Sequence, residues 1–507
     1  MHEAADLDLG RPLPPQGDDT VADLELETVL DTMARGDKLI YEVAQRALLL
    51  GLDDPDAISY RQAVLADCLA NAEVLRTLYD MAVETVTTER KVWGVFATSP
   101  DSILHRATEV MGLYVGMFRR LRAVCDEHGV AFRSAGFTRL FAMITAELDD
   151  SYLDAVAVDL QELKFRRGVM ISAQLGRGNT AAGYVLRRSP ERRLRQRLSR
   201  RGRATYTFEV HPRDEAGLRA LGELKGRGVN LVANALAQSV DHVRSFFSLL
   251  ASELAFYVGC LNLHEQLGAQ GAPTCFPVMT PAGSLRLSAA GLYDVALRLR
   301  LDGPVVGNTV EASGKRLVVI TGANQGGKST LLRALGQAQL MAQAGVFVPA
   351  ERYHGEVGAG VFTHYKREED ATMESGKLDE ELARMSRIAE WIRPAAVLLC
   401  NESFASTNER EGSEIARQVV AAMIDSGVKV MVVTHLYDLA HGWWQGGSGD
   451  ILFLRAERRA DTRRTYKLYE GEPLPTSFGQ DTYRQVFGES GEEIGLPPVA
   501  ERAAFGD

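Results

Sequence analysis

Gly322 to Ser329 reads GANQGGKS and matches the spacing G-x-x-x-x-G-K-S/T. The chemistry such a stretch performs is phosphate binding. Glycines let backbone N–H groups turn inward around an anion, and a following helix adds the partial positive charge of its N-terminus. The flanks agree, because an apolar strand pattern, RLVVIT, precedes the motif and a helical one, TLLRALGQAQLMAQ, follows it. Gly322, Ala323, Asn324, Gln325, Gly326, Gly327, Lys328, Ser329 and Thr330 are therefore expected to bind a nucleotide. Lys328 should reach the β- and γ-phosphates, and the Ser329 hydroxyl should ligate Mg²⁺. ATP and Mg²⁺ are the cofactors this implies.

Two further strand patterns end in polar residues. AAVLLC runs into Asn401 and Glu402. In P-loop ATPases this strand ends in an acid that holds the Mg²⁺ shell, and a glutamate after it polarises the attacking water. Glu402 fits the base. Asn401 stands where the metal-shell acid is expected; its amide oxygen still accepts a hydrogen bond but brings no charge, and capping the strand is its other reading. VKVMVVT ends at Thr434 and His435, a position that faces the γ-phosphate in this kind of sheet, so His435 is read as a phosphate sensor. The catalytic candidates are Glu402, His435 and Lys328; the metal candidates are Ser329 and Asn401.

The elements that must position these residues are legible in outline. At 507 residues the chain is long enough for about three domains. Apolar residues are 46% and charged ones 24%, which excludes a disordered or collagenous chain. The net charge of −10 confines any nucleic-acid surface to a local patch. Five cysteines with no CxxC spacing fit a reducing, cytoplasmic setting better than a disulfide framework. Residues 1–23, rich in Pro, Gly and Asp, read as a mobile tail. Residues 24–272 carry apolar residues at three- and four-residue spacings and read as helical. Within them, about 165–212 reads as a small β insertion: GVMISAQLGRGNTAAGYVLRR alternates around a Gly-Asn turn, and ATYTFEVHPRD returns to a strand pattern. Ser245 to Leu263 is apolar enough to suggest a membrane span, but Glu253 in its middle favours a buried core helix. From 273 to 507 strands and helices alternate, as in an α/β domain with a largely parallel sheet.

GANQGGKSTLLRALGQAQLMAQAGVFVPAER resembles the MutS family of DNA mismatch-repair ATPases, with Gly345, Phe347, Val348, Pro349 and Ala350 reproducing its G-x-F/Y-V-P-A stretch. NESFASTNEREG is similar to the family's DE-x-x-x-GT-x-x-x-D/E-G segment, keeping Glu402, Thr407 and Gly412. VVTH, TSFG and VVGNTV resemble further family motifs, and DPDAISYRQAVLADCL looks like the start of its core and lever region. The resemblance implies an ABC-class, MutS-type α/β P-loop ATPase domain preceded by a mainly α-helical core and lever region. It implies a homodimer whose two sites each take a signature segment from the partner subunit. Ser375, Gly376 and Lys377 are the candidates for that signature, and Thr407–Asn408–Glu409 resembles the loop at the dimer seam. Ala323, Gln325 and Asn401 depart from the usual Pro, Met and Asp. Nothing before residue 24 matches the family's mismatch-reading domain or its Phe-x-Glu wedge, so the chain looks like a trimmed relative.

Arg187 to Arg203 holds nine arginines and one acid, Glu191. Arg192, Arg193, Arg195 and Arg197 are candidate phosphate contacts; a solvated insertion is the alternative. No aromatic interleaves the run, so base stacking is not indicated. The expected function is ATP-dependent binding of double-stranded DNA, mismatched or branched, in mismatch repair or related structure recognition. An ATP-gated module for RNA or ribosomes, and a weak ATPase acting as a protein-interaction switch, are the other readings.

Overall fold

The computed structural model describes residues 7–92, 99–166, 168–188, 206–367, 376–458 and 464–474. They fall into two compact units. One is drawn from Met1–Arg11, Met33–Ala44 and Ser59–Leu263, the other from Pro12–Thr32, Gln45–Ile58 and His264–Asp507.

In chain order the first half forms α1 (Gly17–Asp23), α2 (Leu26–Ala34), α3 (Lys38–Leu50), α4 (Pro55–Ala70), α5 (Ala72–Val92), α6 (Pro100–His128), α7 (Ala135–Glu147) and α8 (Asp150–Leu163). A hairpin of β1 (Met170–Leu175) and β2 (Ala181–Arg187) follows, then the 55-residue α9 (Glu215–Ala269). Local chemistry sets several starts. Ser99 and Ser102 form a reciprocal capping box around Pro100 at the beginning of α6. Asp149 accepts the Tyr152 N–H at 2.7 Å to open α8.

The helical unit is held by a seam of α6, α8 and α9, where Val110, Tyr114, Leu153, Leu160 and Val240 are buried together. Phe247 adds aromatic contacts, with ring centroids 6.0 Å from Tyr114 and 5.2 Å from Phe118. The apolar run suspected of crossing a membrane lies in α9. Phe247, Leu254, Tyr257 and Cys260 are buried in it, and the Glu253 carboxylate accepts the Leu7 N–H at 2.8 Å. The hairpin turns at Gly178 and Asn179, both at positive φ, where the Gly-Asn turn was expected. It lies close to α9 because Gly228 has no side chain; a Cβ there would sit 2.3 Å from Ile171 Cδ1.

Two expectations are corrected. Residues 17–23 are not part of a mobile tail. They form α1, part of the second unit, where Asp19 pairs with Arg367 and Asp23 lies 3.5 Å from Arg384. The acids read as a mobile tail are partners for one buried arginine, Arg384, and one exposed arginine, Arg367. Nor do residues 206–210 form a strand. Tyr206 and Phe208 are exposed there, and an alternating pattern makes a strand only where a neighbour takes up its backbone groups.

The second unit continues with β3 (Val278–Thr280), β4 (Leu287–Leu292), α10 (Val295–Arg300), β5 (Asn308–Glu311), β6 (Leu317–Thr321), α11 (Lys328–Gln343), β7 (Arg352–Glu356) and β8 (Val361–Tyr365). It ends with α12 (Lys377–Trp391), β9 (Val397–Asn401), α13 (Glu409–Asp425), β10 (Lys429–Val433), α14 (Tyr437–Gln445), β11 (Ile451–Arg458) and β12 (Arg464–Glu470). The main sheet runs β12-β11-β6-β10-β9-β8 and is parallel except for β12. β6, β9 and β10 are near-continuous apolar runs, as strands covered on both faces must be. A smaller sheet, β3-β7-β4-β5, mixes parallel and antiparallel pairs.

α11 is wedged into this unit. Gly336 lets the backbone approach Leu24 and Leu399, whose side chains would lie within 3.0 Å of a Cβ. Beside it the fully buried Gln337 donates to Leu24 O at 2.9 Å and to Asp294 Oδ1 at 3.0 Å, and accepts Val295 N–H at 3.0 Å. Asp294 also takes Arg333, so each polar group here is matched.

Candidate active site

Register brings the candidate residues to one level. Val433 at the end of β10 pairs with Ile320 of β6 on one side and Asn401 of β9 on the other. Three parallel strands therefore stop together, and the segments that follow them share one crevice at their C-terminal ends, where open α/β sheets bind ligands. Those segments begin with Gly322, Glu402 and Thr434–His435.

The phosphate loop is shaped for close approach. Gly322, Gln325 and Gly327 all have positive φ, at 115°, 58° and 91°. A Cβ on Gly326 would lie 2.7 Å from Ala456 Cβ and 2.9 Å from Ala323 O, so only glycine passes between β11 and the loop. Gly327 is the N-cap of α11, whose first turn is Lys328, Ser329 and Thr330. Asn324 and Gln325 are exposed at the tip, and the Gln325 amide oxygen accepts from Arg464 of β12.

Lys328 is buried and folds back over the loop, its Nζ donating to Gly322 O at 2.8 Å and Ala323 O at 3.0 Å. Burial brings its pKa down to about 8, with the Glu402 charge opposing. An ammonium resting on two carbonyl oxygens, with the Glu402 carboxylate as its nearby opposite charge, can receive an anion at the loop. Ser329 Oγ donates to Asn401 Oδ1 at 2.8 Å. The amide at the metal-shell position thus holds the very hydroxyl that is the candidate ligand. The glycine cradle, the buried cation and the serine–amide pair fit a nucleotide triphosphate with Mg²⁺.

Glu402 sits at φ 54°, with its N–H tied to Val433 O at 2.9 Å. His435 Nε2 lies 2.8 Å from Glu402 Oε1. That hydrogen bond is the main reason the carboxyl is held below the usual carboxylate range; Lys328 and Lys366 add to it, against the opposing effect of burial. A carboxylate kept ionised beside a phosphate loop can orient and deprotonate water.

Of the other expected residues, Gly376 is the N-cap of α12 and Lys377 its first residue, while Ser375 lies outside the described residues. Arg192, Arg193, Arg195 and Arg197 lie outside them as well. Asn408 caps α13, accepting Glu411 N–H at 3.0 Å, and Glu409 accepts Tyr437 N–H at 2.9 Å just after His435. One positioning residue had no role assigned from sequence. Asn308, inside VVGNTV, donates to Tyr466 O at 3.1 Å and accepts Leu468 N–H at 2.8 Å, holding β12 over the phosphate loop. Its signal was the motif itself.

Comparison with known proteins agrees with this construction. Residues 53–270 match the family profile described as MutS2 N-terminal domain, and residues 318–479 match MutS domain V. The chain is 28% identical over 203 residues to MutS protein homolog 4 of Mus musculus, covering 37% of this chain and 20% of that protein. It is 33% identical over 165 residues to Endonuclease MutS2 of Thermus thermophilus, covering 31% of this chain and 21% of that protein. It is 33% identical over 194 residues to DNA mismatch repair protein MutS of Thermotoga neapolitana, covering 38% of this chain and 24% of that protein. The matched stretches thus span about a fifth to a quarter of the length of these relatives. With both profiles matched in order, and the phosphate loop, Glu402 and His435 assembled within domain V, the chain belongs to the MutS family.

Proposed function

We propose that the chain is an ATP-hydrolysing DNA-binding protein of the cytosol, acting in mismatch repair or related DNA structure recognition. The observation that carries this reading is the crevice in which Lys328, Ser329, Glu402 and His435 meet at the ends of three adjacent parallel strands. The loop N–H groups and Lys328 would hold the β- and γ-phosphates, Lys328 leaving the Gly322 and Ala323 carbonyls to do so. Ser329 would be a metal ligand with Asn401 behind it. When bound, Mg²⁺ would neutralise charge on the phosphate oxygens. Glu402 would accept a proton from the attacking water, and His435 would orient Glu402 and face the γ-phosphate. Two such sites would close in a homodimer of MutS-type, ABC-class ATPase domains, with the segment around Gly376 and Lys377 presented to the partner's site.

Double-stranded DNA, mismatched or branched, is the proposed partner, with the relatives' printed names as support: one is a DNA mismatch repair protein and another an endonuclease. The test has two arms. Purified protein should hydrolyse ATP, and Lys328→Ala should abolish this; hydrolysis at an unchanged rate in that variant rejects the site. Filter binding against perfect duplex, mismatched duplex, branched DNA and ribosomes, with and without ATP, decides the partner. Ribosome retention without DNA retention would replace DNA by RNA in this proposal.

A further inference from the structure

Glu381 belongs to none of the motifs that point to the site. It lies one turn into α12 and is buried. A buried carboxylate is costly unless its oxygens are matched. Here both are matched by the turn that follows Glu402. Phe404 N–H donates to Oε2 at 2.6 Å, and Ser406 Oγ donates to Oε1 at 2.7 Å.

That turn needs holding. Glu402 and Phe404 both sit at positive φ, 54° and 60°, and neither is glycine. Each such residue is strained and persists only where its surroundings fix it. The surroundings are specific. The Phe404 side chain is buried and stacks on His364 at 5.3 Å. His364 Nε2 is 3.0 Å from Glu381 O, and its Nδ1 is 2.7 Å from Ser403 Oγ. α12 is itself anchored, because Arg384 donates to Tyr365 O at 2.7 Å and pairs with Asp23 of α1. Glu381 is therefore a fixed point, and the turn hangs from it.

We propose that Glu381 is a positioning residue for ATP hydrolysis: by holding Phe404 N–H and Ser406 Oγ it sets the strained turn that aims Glu402 at His435 and the phosphate loop. The inference rests on the reading of Glu402 as the base. It also links that base to the helix capped by Gly376 and begun by Lys377, so a displacement of α12 would be felt at Glu402.

The experiment is steady-state ATP hydrolysis by the full chain, for E381A, E381Q and S406A, each alone and combined with E402Q. A misaimed base should lower kcat about ten- to a hundredfold in E381A while KM for ATP stays within about twofold. E381Q retains one acceptor oxygen and should lose less. S406A removes one of the two donors on Glu381 and should lower kcat a few-fold, with a melting temperature lowered less than in E381A. In the E402Q background E381A should add less than about twofold, because the group it positions is already gone. Losses that multiply in the double variant would overturn the proposal, as would a raised KM with unchanged kcat. Should E381A fail to fold, E381Q and S406A decide, and wild-type kcat in both rejects the idea. The two readings fail differently. Wild-type turnover in E402Q removes the base itself, whereas slow E402Q beside wild-type E381A removes only the role of Glu381.

Discussion

His435 Nε2 lies 2.8 Å from Glu402 Oε1, and the two residues follow neighbouring parallel strands, β10 and β9. This pairing keeps the carboxyl ionised below its ordinary value of 4.5. The base form of Glu402 is the carboxylate, so hydrolysis should persist as pH falls to 4.5 and be lost only below it, as far as the fold survives. His435→Ala removes the largest cause of the lowering. The acid limb of the kcat–pH profile should therefore move to higher pH. The same sign applies to stability: the pairing stabilises the fold above pH 4.5 and ceases to do so as pH drops through the lowered value. An acid limb that stays in place in His435→Ala would show that the histidine does not tune the base.

Lys328 gives the opposite limb. Burial lowers its pKa to about 8 while it rests on two carbonyl oxygens. As pH rises through that value the free protein loses the cation that should meet the phosphates. ATP affinity should fall above about pH 8, and binding there should take up protons, because bound phosphate restores the charge. Titration with a fluorescent ATP analogue across this range, with proton uptake read by calorimetry in two buffers, checks both. In Lys328→Ala the pH-dependent step should disappear and affinity be uniformly weak. A wild-type profile flat through pH 8 would place the buried cation out of reach of the nucleotide.

Asn401 and Ser329 make a prediction about metal. The 2.8 Å bond between Asn401 Oδ1 and Ser329 Oγ uses a neutral acceptor. Asn401→Asp keeps the acceptor and adds a charge beside the candidate metal position. Hydrolysis should reach half-maximal rate at lower Mg²⁺, with kcat equal to or above the parent. A large loss of activity would mean that the crevice depends on the neutral amide.

The grouping of the candidate residues was legible where one strand, one turn and one helix carry it. The phosphate loop, Glu402 and His435 each follow an apolar run whose length and β-branched content fix a buried strand, and the parallel register then aligns them. What escaped the sequence depends on partners far along the chain. Asp19 and Asp23 read as tail until Arg367 and Arg384 stand opposite them. Glu381 reads as one more acid on a charged helix; only the fold puts Phe404 N–H against it. Tyr206 and Phe208 failed the other way, because alternation cannot reveal whether a neighbouring strand exists.

Gly412 separates geometry from packing. It belongs to the NESFASTNEREG stretch and lies in the first turns of α13. A Cβ there would sit 2.4 Å from Phe404 O, a backbone atom of the strained turn that Glu381 holds. Gly412→Ala gains about 1 kcal/mol of helix propensity, but overpacking against backbone costs about 1–3 kcal/mol. The turn must shift to make room, and Glu402 lies only two residues before Phe404. Stability by urea unfolding should fall modestly, while kcat should drop at least about tenfold. Gly336→Ala is the control. The atoms nearest its added Cβ would be side-chain methyls of Leu24 and Leu399, not backbone of the turn after Glu402. Those leucines can adjust, so any loss of stability there should leave kcat per folded molecule unchanged. If both alanine variants hydrolyse ATP at the parental rate, the turn tolerates displacement and the aim of Glu402 does not depend on it.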